Sequence, residues 1–158
     1  MKVKDCMTKD VITLKRSTTL TELIQIFRKY NFHTLPVVEE GQKLVGVVTF
    51  EDLLKVFQPY NQDLARMLES VSFVEKEEDD ILVADISEEM GRLVIVDDLM
   101  NSNFVTIAPD SSIEEVRRLM KLHSSSRISV VTPEGNLIGI IGLFDIILAI
   151  FKEKRVID

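Results

Sequence analysis

The chain repeats itself. Displaced by 93 residues, Val3–Phe57 aligns with Val96–Ile150 without a gap, and ten of the 55 paired positions are identical. The identities include Asp5 with Asp98, Met7 with Met100, Gly46 with Gly139 and Asp52 with Asp145. Most other apolar positions of the first copy meet an apolar partner in the second. Such self-similarity marks one supersecondary unit used twice, each unit completing its burial against its neighbour. The chain therefore divides into a first repeat (1–57), a partly helical linker (58–93) and a second repeat (94–158).

Both copies carry the same order of patterns. A short extended run, "DVITL" or "NFVTI", precedes a segment whose apolar residues recur at helical spacing: Leu20, Leu23, Ile24 and Phe27, or Ile113, Val116, Leu119 and Met120. Thr19 with Glu22, and Ser112 with Glu115, stand at the spacing of a capping box. Two β-branched runs follow, separated by "EEGQK" and "TPEGN", whose glycines and polar residues predict hairpin turns. A second helix closes each unit from Asp52 or Asp145 onward. The expected class is α+β, with β-α-β-β-α units in tandem.

Those closing helices, "DLLKVF" and "DIILAIF", are apolar nearly all round. A helix of that kind is buried on more than one side. The expectation is that they pack on their own sheet and against the other copy or a second chain, which predicts a homodimer through the helices beginning at Asp52 and Asp145. In the linker, Asn61–Val71 reads as a helix, Glu75–Asp80 as a solvated acidic run without metal-ligand spacing, and "SEEMG" as a capped turn.

Composition narrows the function. The formal charge of -7 opposes the phosphate contacts that dominate nucleic-acid affinity. The longest apolar run, Leu137–Phe144, ends at Asp145, far short of the roughly 20 residues a spanning helix needs, so no membrane role is expected. Cys6 is the single cysteine, which excludes an intrachain disulfide and fits a reducing, cytoplasmic setting. No phosphate-loop, zinc-protease or nucleophile-elbow motif is present, so no enzyme activity is expected.

The chemistry concentrates at two related stretches, "GVVTFEDLL" (46–54) and "GIIGLFDII" (139–147), where a strand feeds a helix. Capping accounts for the aspartates by itself: Thr49 caps, and Asp52 three residues on answers the positive helix end, while a glycine cap serves in the second copy. A ligand role uses the same geometry. A carboxylate accepts from the two hydroxyls of a ribose, and a helix start with a threonine hydroxyl suits phosphate. Gly46 would admit close approach, with Val47 and Val48 as an apolar wall for a base. The two accounts coexist because a carboxylate has two oxygens.

The paired units, each with an opening D-x-M, a "PVV" or "SVV" strand and a G-h-h-T-x-x-D-type ending (h apolar), resemble a tandem pair of cystathionine beta-synthase (CBS) domains, the Bateman module. The resemblance covers about 110 of the 158 residues. It implies two CBS repeats packed as a pseudo-twofold pair, leaving two clefts for AMP, ADP, ATP or a related adenosyl ligand, with no other cofactor and no metal. Carried over by position, Thr49 and Asp52 match the ribose and phosphate motif with Val47 beside the base. Asp145 and Ile140 match in the second copy, where Gly142 lacks the hydroxyl, so the first cleft is the better equipped. Ile12 and Val105 correspond to adenine-contacting positions and are expected to reach the cleft whose aspartate belongs to the other copy. Basic phosphate-binding positions before the "PVV" strand are occupied by His33 and Thr34, and by Ser126 and Arg127, of which Arg127 suits phosphate best.

The function that follows is a regulatory, ligand-sensing module acting on a separate protein partner. The alternative is a structural dimerisation module whose degenerate clefts bind nothing.

Overall fold

The structure is a computed structural model that describes residues 1–30, 33–57 and 88–157. In chain order the elements are α1 (Val3–Cys6), α2 (Leu20–Tyr30), β1 (Thr34–Val38), β2 (Leu44–Thr49), α3 (Phe50–Phe57), α4 (Glu88–Leu93), α5 (Val96–Leu99), β3 (Thr106–Ile107), α6 (Ile113–Leu122), β4 (Arg127–Val131), β5 (Leu137–Gly142) and α7 (Leu143–Glu153). The architecture is α+β, two units of the expected β-α-β-β-α order, with the opening strand of the first reduced to an isolated bridge. The helix read at 61–71 and the acidic run at 75–80 lie outside the described residues. At "SEEMG", α4 runs from Glu88 where a turn was expected.

Each unit is built on an antiparallel hairpin, β1 with β2 and β4 with β5, in matching register: Val37 faces Gly46 and Val130 faces Gly139. The turns use Gly41 at φ 70° and Gly135 at φ 87°, a left-handed backbone that glycine adopts at least cost. In the second repeat the opening run forms β3, parallel to β4. In the first repeat it shrinks to one bridge, Leu14 to Val37. Pro36 is the reason: Leu14 N–H donates to the Pro36 carbonyl and its own carbonyl receives the Val38 N–H, both at 2.9 Å. Proline has no N–H with which to extend that ladder.

Helices α2 and α6 bury the stripes Leu20, Leu23 and Phe27, and Ile113, Val116 and Met120. Ile24, expected on the buried face, is 40% exposed at the edge of its stripe. The Thr19–Glu22 capping box forms in full, with Thr19 N–H donating to Glu22 at 2.8 Å and Glu22 N–H to Thr19 Oγ1 at 3.3 Å. Ser112 Oγ caps α6 by accepting from Glu115 N–H at 3.2 Å.

The two cores are interleaved. Val3, with no exposure, belongs to the second repeat's core beside Ile141 and Ile146, and Cys6 and Met7 pack against it. Val96 and Leu99 belong to the first repeat's core beside Leu20, Val37 and Val48. Each opening segment thus crosses to the opposite unit. Fully burying one such aliphatic side chain contributes about 1.5–3 kcal/mol. A third cluster, Val38, Leu44 and Leu137, joins the two hairpins near their turns, where Leu44 N–H donates to the Gly135 carbonyl at 3.1 Å.

The one-turn helices α1 and α5 explain the repeated D-x-M. Asp5 accepts from Lys2 N–H at 3.0 Å and Asp98 from Ile95 N–H at 3.1 Å, closing each turn. The methionines then lie against the register-equivalent glycines. A Cβ on Gly46 would stand 2.6 Å from Met100 Sδ, and one on Gly139 2.8 Å from Met7 Sδ. The close approach that Gly46 permits is therefore taken by a side chain of the other repeat.

A candidate ligand site in two inter-repeat cavities

Both closing helices begin one residue after the position that caps them. At α3 the reciprocal cap is complete: Asp52 Oδ2 accepts from Thr49 N–H at 2.8 Å and from Thr49 Oγ1 at 3.0 Å, and Asp52 N–H donates to Thr49 Oγ1 at 3.3 Å. Asp52 is only 6% exposed. At α7, Gly142 N–H donates to Asp145 Oδ2 at 2.7 Å. The second oxygen, Oδ1, accepts from Thr8 Oγ1 at 3.3 Å. A hydroxyl absent at Gly142 is thus replaced by one from the opposite repeat.

The crossing segments hold these mouths together. Thr8 and Ile140 exchange both backbone hydrogen bonds at 2.9 Å, and their counterparts Asn101 and Val47 do the same at 2.9 and 3.0 Å. Beside each mouth the chain before the hairpin is anchored to the closing helix, Phe50 N–H to the His33 carbonyl at 2.9 Å and Leu143 N–H to the Ser126 carbonyl at 3.1 Å. His33 also meets the Phe50 ring edge-on at 6.2 Å between centroids.

Two cavities open along the seam. The larger, about 540 Å³, brings together Ile12, His33, Arg127, Ile140, Gly142 and Asp145 from the residues singled out in the sequence. The smaller, about 290 Å³, brings together Val47, Thr49 and Val105, and shares Arg127 and Ile140 with the first. Ile12 therefore shares a cavity with the aspartate of the other repeat, and Val105 with the threonine of the other repeat. Asp52 stands apart: it is buried in its cap and lines neither cavity. The motif match favours the first cleft, whereas the larger volume lies at Gly142, where no threonine side chain occupies the mouth.

Several lining residues escape a motif reading. Asp10 and Glu51, both exposed, add carboxylates to the larger cavity, and Asn101 and Asn103 add amides to the smaller. Thr8 was within reach of the sequence, since Thr8 and Asn101 occupy one repeat position directly after D-x-M and both are polar. Cys6 lies near the larger cavity's aspartate. Burial first, then the Asp145 and Asp5 carboxylates, raise its thiol above the ordinary range, so it stays protonated and poorly nucleophilic. Among the described residues no group of three metal-ligating side chains converges, and no helix is long and apolar enough to cross a membrane.

Comparison with known proteins agrees with this arrangement. The chain is 30% identical over 154 residues to an uncharacterized protein of Methanocaldococcus jannaschii, MJ1426, covering 95% of this chain and 91% of that protein. It spans less than half of two longer relatives from the same organism. Among solved structures, CBSX2 in complex with AMP superposes with a TM-score of 0.71 at 24% identity, covering 98% of both chains. The CBS domain pair of MJ0100, in complex with 5′-methylthioadenosine and S-adenosyl-L-methionine, gives 0.64 at 24% identity, again covering 98% of both. The sequence model of the CBS domain matches residues 3–59 and 96–152, the two halves of the 93-residue repeat. With that match falling on the units whose opening segments cross to form both cavities, the chain belongs to the CBS domain family.

Proposed function

We propose that the chain is a regulatory, ligand-sensing module that binds an adenosine compound, such as AMP, ADP, ATP or a related adenosyl ligand, between its two repeats. The observation that carries this reading is the larger cavity, where Asp145 at a helix mouth shares the lining with Ile12 and Ile140. Apolar walls suit a base, a carboxylate suits a ribose diol, and Arg127, which lines both cavities, suits a phosphate. Two proteins of the same fold hold AMP, and 5′-methylthioadenosine with S-adenosylmethionine. A ligand bridging the repeats favours one relative packing, and a separate partner protein in the cytoplasm senses it through differential affinity for the two states.

The module acts as a homodimer in this reading. Support comes from α7, which buries Ile146 and Ala149 yet leaves Leu143, Phe144, Ile147 and Phe151 exposed. Sedimentation at graded concentrations tests it, and a monomer throughout would refute it.

Thermal melting against an adenosine panel tests ligand binding. At one hundred times its dissociation constant a ligand stabilises by about 2.7 kcal/mol, several degrees for a chain of this size. If no adenosine compound moves the melt, the aspartates serve as caps and the chain is a structural dimerisation module. The hydrogen bonds that commit Asp52 to its cap leave a ligand in the smaller cavity to the other lining residues, Thr49 and Arg127 among them.

A further inference from the structure

The two cavities differ in charge as well as size. Three carboxylates, Asp10, Glu51 and Asp145, line the larger one against a single guanidinium, Arg127. Even a charged His33 leaves that wall with an excess of negative charge. The smaller cavity has the same guanidinium and, among its described lining residues, no carboxylate. Its other polar groups are hydroxyls, amides and the His123 imidazole, including Thr49, Asn101 and Asn103. The contrast has two sources in the repeat. Asp10 in the larger cavity is replaced by its counterpart Asn103 in the smaller. Asp52, the counterpart of Asp145, is buried and lines neither cavity, while Glu51 adds a carboxylate to the larger one alone.

We propose that the cavities sort adenosine compounds by charge. The larger takes a phosphate-free adenosine derivative, neutral or cationic, and the smaller takes a nucleotide phosphate through Arg127. This rests on the adenosine-binding reading above and names the ligand class for each cavity. Like charges in one partly screened cavity repel, so each phosphate added to a ligand in the larger cavity works against Asp10 and Glu51. A cationic sulfonium is attracted by the same pair. Because Arg127 lines both cavities, it cannot form a bidentate pair with a phosphate in each at once, which further restricts phosphate to one of them.

Calorimetric titration of the purified full chain with 5′-methylthioadenosine, S-adenosylmethionine, AMP and ATP tests the proposal. The two phosphate-free compounds should share one site and bind it at least about tenfold more tightly than ATP does, a margin typical of charge discrimination at a partly exposed site. AMP should still bind protein saturated with 5′-methylthioadenosine. The double variant Asp10→Asn, Glu51→Gln changes two exposed side chains, and circular dichroism verifies its fold. It should admit ATP to the larger cavity with about a tenfold gain while leaving 5′-methylthioadenosine within about twofold. Arg127→Gln should abolish AMP binding and spare 5′-methylthioadenosine.

ATP binding tightest to the unaltered chain, with no change in the double variant, would overturn the proposal. Mutual displacement of AMP and 5′-methylthioadenosine from one site would overturn it too. Failure of every adenosine compound to bind would instead remove the reading on which it rests.

Discussion

The hydroxyl of Thr8 donates to Oδ1 of Asp145 at 3.3 Å, a contact between residues 137 apart in the chain. It fills the role that Thr49 plays within its own repeat, where the hydroxyl stands beside Asp52 at 3.0 Å. The second mouth is therefore completed from outside its repeat, and its aspartate remains half-buried at the edge of the larger cavity.

Thr8→Val removes that donor and keeps the shape. Thr8 is exposed, so the loss should be at the low end for a hydrogen bond, about 0.5 kcal/mol, or a degree or two in melting temperature. Gly142→Thr in the same background should restore it. Gly142 has an extended backbone open to any residue, and a Cβ there meets first the side-chain carboxylate of Asp145, at 3.3 Å. Differential scanning calorimetry of the three proteins checks this, and an uncorrected loss would show that the hydroxyl acts elsewhere.

The two aspartates should separate stability from binding. Asp52→Ala strips a buried reciprocal cap and should cost about 1–3 kcal/mol, measured by urea unfolding. Asp145→Ala should cost about 1 kcal/mol, as for an ordinary cap, yet weaken adenosine binding to the larger cavity by about tenfold or more. Equal effects of both on binding would contradict the assignment of that cavity to Asp145.

The register-equivalent glycines should respond unequally to alanine. At Gly46 the nearest atoms to a new Cβ all belong to the flexible Met100 side chain, whereas at Gly139 the Thr8 backbone oxygen stands 2.9 Å away. Overpacking against backbone is relieved less easily, so Gly139→Ala should cost about 1–3 kcal/mol and Gly46→Ala less. Denaturation midpoints decide between them.

Acid should weaken the tie between the first residues and the second repeat. The Lys4 and Lys2 ammonium groups, at 2.7 and 3.0 Å, hold the Asp110 carboxyl below its ordinary range. A depressed folded-state value means that the contribution is fully present above the unfolded value, about pH 4, and is lost as pH falls through the lower folded value. Melting temperature should therefore drop more steeply below about pH 4 in the unaltered chain than in Asp110→Asn. Because these groups are exposed, high salt should flatten the difference.

Much of this fold is legible in the residues, because periodicity is a local signal. The stripes of α2 and α6, the Thr19–Glu22 cap and the glycine turns were each readable within a few positions. What local signals do not contain is partnership. Val3 and Val96 are equally apolar at equivalent positions, and nothing in their spacing says that each leaves its own repeat for the other. The burial of Asp52 away from both cavities was hidden for a similar reason. A Thr-x-x-Asp motif serves a cap and a ligand with the same letters, and only the cavity geometry separates them. Asp10 and Glu51 look like ordinary surface acids until the seam brings them into one cavity with Arg127.

The crossing of α1 and α5 makes each half an incomplete product. A peptide bond cut between residues 58 and 87 would leave fragments that must reassemble to close either hydrophobic interior, since each carries a wall of the other's. Unfolding should accordingly proceed in one concerted step, with neither half outliving its sister. A molecule seated at the seam would then grip the strands that lock the halves together, so that occupancy is felt along the whole chain.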